Sequence, residues 1–199
     1  MRKFSIRPAL TIKGRQFKGL RGWAGKPFHP PLTDIPVAAY IFGAGFDIVS
    51  RILRDHDVDR SIALWRAGTY VLIGGYLVGL LAVLTGWADW HRSSKVGTQA
   101  RRTINTHAWM MIIAQVLVLA DIIWRVWYYD YYHSTGKLAA LTTLAAIVVA
   151  VGSTYGGSLV FDYGFNVETS GDHPVWHESE VDVFPGKHEA EPDAATEPH

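Results

Sequence analysis

The sequence predicts an all-α protein, a four-transmembrane-helix bundle with cytoplasmic N- and C-terminal extensions. Three observations predict it. Four apolar runs fill the chain from about residue 33 to residue 161, each close to or above the ~20 residues that cross a ~30 Å hydrocarbon layer. Trp65, Trp87, Trp90, Trp109, Trp124 and Trp127, with Tyr128, Tyr129, Tyr131 and Tyr132, gather near the ends of these runs, as amphipathic rings at headgroup level would. Lys and Arg divide unevenly between the connections. The 199-residue chain therefore reads as a basic membrane-surface segment (1–28), a transmembrane domain (29–161) and an acidic, partly disordered tail (162–199).

Each run has its own signals. The first covers residues 34–53, with Asp34 as the expected N-cap and Pro36 in the first turn, where its missing N–H costs little. The second, 67–90, carries no charge before Asp89. The third, 105–127, places His107, Met111, Ala114, Val118, Asp121 and Arg125 on one face of a helix, with Gln115 beside them. Polar groups within a membrane turn to the bundle interior, so this face is expected to meet the Gly75, Ala82, Asp89 stripe of the second run. The fourth covers 138–161. A soluble bundle is disfavoured, because its helices would keep a polar stripe that the second and fourth runs lack. Gly75 with Gly79, and Gly152 with Gly156, have the spacing that lets helix backbones approach closely. That serves packing within one chain or the interface of a homo-dimer or larger membrane complex.

Charge gives the orientation. Residues 1–28 hold eight Lys/Arg and no acid, and the 91–104 connection holds four more, against six in the other two connections. Twelve against six puts the N-terminus and the 91–104 connection in the cytoplasm of a multi-pass protein of the cell (plasma) membrane. An even number of spans returns the tail to the same side. The basic segment, with Phe4, Phe17, Leu20 and Trp23 interleaved, suits anionic headgroups; membrane tethering explains its charge, so no nucleic-acid partner is expected. No short apolar segment with a small-residue cleavage site opens the chain, so no signal peptide is expected. In the tail, His173 and His177 flank Trp176, and residues 187–199 lack large apolar side chains, a composition that stays disordered.

Cysteine is absent, which excludes disulfides, thiolate zinc sites and thiolate-ligated clusters within the chain. No hydrolase triad, phosphate loop or zinc-protease helix is present, and no enzymatic activity is expected of the chain on its own. What remains is a set of ionisable residues at one membrane end: His29, Asp34, Asp89, His91, His107 and Asp162, with Asp89 and His107 at its expected centre. His/Asp sets suit a metal, a haem or a quinone. A haem would sit near the interface, with His107 and either His29 or His91 as axial ligands. The same groups could simply cap helix ends and bond one another. At the other end, Asp47 with Arg51 and Asp121 with Arg125 are spaced for two i,i+4 ion pairs. These are structural pairs or stations of a proton or ion path, for which only Gln115, Thr85 and Tyr76 lie at mid-depth.

The segment Gly25-Lys-Pro-Phe-His-Pro-Pro-Leu-Thr-Asp-Ile-Pro resembles the opening signature of an uncharacterised four-span bacterial family of predicted membrane proteins. Asp47, Gly86-x-x-Asp89, His107 after Arg101-Arg102, and Gly156-Gly157-x-Leu159-Val160 resemble its later landmarks. The resemblance covers about residues 22–165. Many members carry a histidine where this chain has Asp34. Some relatives are fused to a Rieske-type iron–sulfur domain, which implies a neighbourhood of membrane electron transfer. The expected function is a redox-associated membrane subunit, using its cytoplasmic polar site for a quinone, a cofactor or a soluble redox partner. The alternatives are a structural or scaffold module and, behind both, a transporter.

Overall fold

In a computed structural model, which describes residues 27–93, 95–127 and 133–165, four helices follow one another: α1 (His29–Leu53), α2 (Val58–Ser93), α3 (Gln99–Trp127) and α4 (Gly136–Phe161). All four are long and apolar enough to cross a membrane, and no strand occurs among the described residues. The basic segment to residue 26, the 128–132 tyrosine cluster and the tail beyond residue 165 lie outside the described residues.

The helices run further than their apolar runs. α1 starts at His29, with Pro in its first turn, because a fixed φ favours that position. Asp34 therefore lies inside the helix, exposed, and does not cap it. α2 begins at Val58 instead of residue 67. Asp57 stops its first turn from fraying: its Oδ1 accepts from Arg60 N at 3.1 Å. The added turns are held inward by Ser61 and Trp65, both buried. Thr98 opens α3 in the same way, accepting from Arg101 N at 3.1 Å, after Gly97 turns the chain at φ +86°. Thr135 caps α4 by accepting from Leu138 N.

Helices consecutive in the chain pack on each other and α4 closes back on α1, so α1 and α3 stand diagonally across the bundle, as do α2 and α4. The α2–α3 contact is the thinnest of the four sides. Tyr40, Leu72, Val118 and Val149 form the core with Ala39, Ala114 and Ala145. Large apolar side chains such as Phe42, Leu77, Leu84, Val116, Ile123 and Ile147 are exposed, which is the outward surface a lipid-facing bundle presents. The glycine pairs work inside the chain. Gly75 lets Ala39 and Tyr40 of α1 close on α2, Gly79 admits the Gln115 side chain, and Gly152 admits Met111.

One tryptophan departs from the aromatic belt. Trp87, Trp109 and Trp127 are exposed, but Trp65 is 1% exposed, and the Arg125 guanidinium lies over its ring at 4.4 Å from the centroid.

Candidate functional site

The diagonal geometry brings His29 of α1 and His107 of α3 together, with ring centroids 6.4 Å apart and planes at 83°. Each ring is locked by the same device. His29 Nδ1 lies 2.9 Å from Ala82 O, and His107 Nδ1 lies 2.9 Å from Gly152 O. A carbonyl can only accept, so in both rings Nδ1 carries the hydrogen and Nε2 keeps a free lone pair. One helical turn beyond each carbonyl stands a glycine. A Cβ on Gly86 would fall 2.6 Å from His29 Cε1, and one on Gly156 would fall 3.0 Å from His107 Cε1. The glycines at 86 and 156 thus admit an imidazole against the helix backbone.

The two rings border an apolar cleft of about 1100 Å³ lined by all four helices, slightly above the ~300–1,000 Å³ of typical ligand sites. It runs from Pro27, Pro30 and Phe165 at the helix ends to Tyr40 and Gln115 deeper in the bundle. There the Tyr40 hydroxyl donates to Gln115 Oε1, and Gln115 Nε2 donates to Tyr76 O at 3.3 Å. Near the helix ends, Trp90 Nε1 donates to Asn105 Oδ1 at 2.8 Å. Arg101 lies over the Trp90 ring at 4.2 Å and donates to Trp90 O at 3.0 Å.

Of the residues expected at this end, His29, Asp34, Asp89 and His107 line the cleft. His91 does not: it is exposed and stacks on Trp87, with centroids 5.8 Å apart. Asp162 is exposed beyond α4. His107 turns to Gly152 O on α4 and to the His29 ring, so its face meets the fourth helix at this level. His107 also lies deeper than its place near the start of the third run suggested. With α3 beginning at Gln99, eight residues of helix separate the two, roughly 12 Å along the axis.

The opposite end is a second polar centre, and its pairing differs from two local ion pairs. Arg125 Nε donates to Asp121 Oδ2 at 2.8 Å, as the spacing predicts. Asp47, however, pairs across the bundle with Arg125 Nη2, and Arg51 forms no ion pair with it. Arg125 also donates to Thr69 Oγ1 at 3.2 Å and Thr142 Oγ1 at 3.1 Å. Asp47, Asp121, Arg125 and Thr142 are all 0% exposed. Beside them Ser50 and Ser61 exchange hydrogen bonds with each other's carbonyls at 2.9 and 2.8 Å, tying α1 to α2. Trp65, Thr69 and Thr142 were not singled out in the sequence as part of this centre, since a tryptophan at a run end or a threonine in an apolar run carries no signal of its partner.

A bundle of four membrane-length helices, apolar outside and polar at two interior levels, defines a small polytopic membrane protein. More narrowly, the chain belongs to the predicted membrane protein family DUF2231, which matches residues 25–169. No curated protein and no solved structure matches it.

Proposed function

We propose that the protein is a membrane electron-transfer subunit that binds a b-type haem between His29 and His107. The observation that carries this is the paired imidazoles, each with Nδ1 tied to a backbone carbonyl across a glycine, 6.4 Å apart beside an apolar cleft. Two imidazoles on opposite sides of one metal, with metal–nitrogen bonds of ~2 Å, place their ring centroids roughly 6 Å apart. Among the described residues no group of three His, Cys, Asp or Glu side chains could hold a metal ion. Two nitrogens are too few for a closed zinc site. They suffice for a haem, whose macrocycle supplies the other ligands, and helical bundles build such sites from facing helices.

When bound, the haem would supply one-electron transfer. The chain's own part is to fix the two rings and exclude water. The carbonyls of Ala82 and Gly152 set the tautomer and raise the basicity of each Nε2. Val37, Ala82, Ile104, Met111, Val149 and Leu159 give the cleft apolar walls. Arg92, Lys95, Arg101 and Arg102 lie at this end of the bundle, which supports a cytoplasmic orientation for it and a soluble redox partner on that side.

Titrating haem into the detergent-purified apoprotein tests the reading. Absorbance should saturate at one haem per chain, and the change should vanish in a His29→Ala, His107→Ala double variant. Equal uptake by wild type and double variant would overturn it.

A further inference from the structure

We propose that the Asp47–Asp121–Arg125 centre is a proton-binding site, in which one proton is shared between the two carboxyls. Charge and donor counting carry this, and neither depends on the histidine pair.

Two carboxyls and one guanidinium, carried on α1 and α3, are sealed from solvent, every member 0% exposed. Among the described residues Arg125 is the one cation within ion-pair reach of either acid. The surrounding charges do not close the balance. On α1, Arg51 stands one turn away without an ion pair to Asp47, and Arg54 is held by Asp55. On α2, Arg60 is held by Asp57 and Arg66 is exposed. On α4, Lys137 is exposed. The pKa of His133, before α4, is lowered from the usual imidazole value by partial burial and by the Arg54 and Arg51 guanidinia. Fully ionised, the centre would hold an unbalanced buried negative charge, and buried groups neutralise before they bear that cost. Two carboxylates sharing one site resolve it by keeping a proton.

The hydrogen bonds agree. Arg125 Nε and Nη2 reach only the Oδ2 atoms of the two acids, leaving Asp47 Oδ1 and Asp121 Oδ1 buried with no donor. Thr142 Oγ1 lies 2.6 Å from Asp47 Oδ2, 3.3 Å from Asp121 Oδ2 and 2.8 Å from Leu138 O. A hydroxyl has a single hydrogen and cannot donate to all three. A carboxyl proton supplies the missing donor. A metal cation is disfavoured because Arg125 already occupies the middle of the centre and hard cations need several further oxygen ligands.

The test is the infrared spectrum of the full-length protein in detergent at neutral pH, in H2O and in D2O. A protonated-carboxyl C=O band that shifts in D2O is expected in the wild type. It should be lost in Asp47→Asn and in Asp121→Asn, each of which leaves one acid to one arginine, and retained in Asp89→Asn. Absence of the band from the wild type, which needs no variant to fold, would overturn the proposal. So would its persistence in both Asp47→Asn and Asp121→Asn, or its disappearance on adding sodium or potassium salts, which would mark a metal-cation site.

Discussion

Arg125 pairs with buried carboxyls on two helices at once, so its loss strands both. Breaking a buried charge pair by removing one partner costs about 3–5 kcal/mol, and Arg125→Met should lower the thermal midpoint in detergent accordingly. Arg51→Ala should cost less than about 1 kcal/mol, as for a cation without a buried partner. A thermal-shift comparison of the two variants checks the pairing seen here, and equal losses would restore the local Asp47–Arg51 pair. In the sequence, Arg51 and Arg125 are equivalent, each four residues after an aspartate. Only the approach of α1, α3 and α4 to one level tells them apart. Trp65 is a similar case: nearness to a run end does not reveal that its ring faces Arg125.

Glycines 86 and 156 set what α2 and α4 can accept from their neighbours. A methyl group at Gly86 would meet His29 Cε1 at 2.6 Å, closer than the 3.0 Å at Gly156. Gly86→Ala should therefore push the His29 ring off Ala82 O, and Gly156→Ala should disturb His107 less. Losing the hydrogen bond that orients a ligating histidine costs about 10–100-fold in metal affinity. The expected order of haem affinity is wild type, then Gly156→Ala, then Gly86→Ala, read by titration. The apolar runs gave the number of helices and where α1, α3 and α4 end, because hydropathy and helix termination are local properties. They missed where α1 and α2 begin. His29 and the prolines after it read as a loop before Asp34, and the charges of 58–66 as a connection, although Ser61 and Trp65 are buried by tertiary contact. Those extra turns decide the site. The earlier start of α1 sets His29 on a helix within reach of Ala82 O, and the earlier start of α3 sets His107 deeper.

The whole molecule has polar centres at both ends of an apolar bundle, and the histidine end carries Arg92, Lys95, Arg101 and Arg102. The absence of cysteine makes topology directly measurable. A single cysteine at Val96 should resist a membrane-impermeant thiol reagent in intact cells, and one at Asp55 should react with it. The reverse pattern would invert the orientation. The residue types of the histidine site were legible in the sequence, as was the haem alternative with His29 as one candidate ligand. The choice of His29 over His91 was not, because it rests on which helices stand diagonally and on where α1 starts.

The central claim is that His29 and His107 together bind one haem. Its most direct measurement is the reduced-minus-oxidised visible spectrum of wild type, His29→Ala and His107→Ala, each purified from cells supplied with haem. The account predicts a low-spin, six-coordinate spectrum in the wild type and a five-coordinate, high-spin spectrum or loss of haem in each single variant. A wild type without haem, or a low-spin spectrum that survives either substitution, would contradict it.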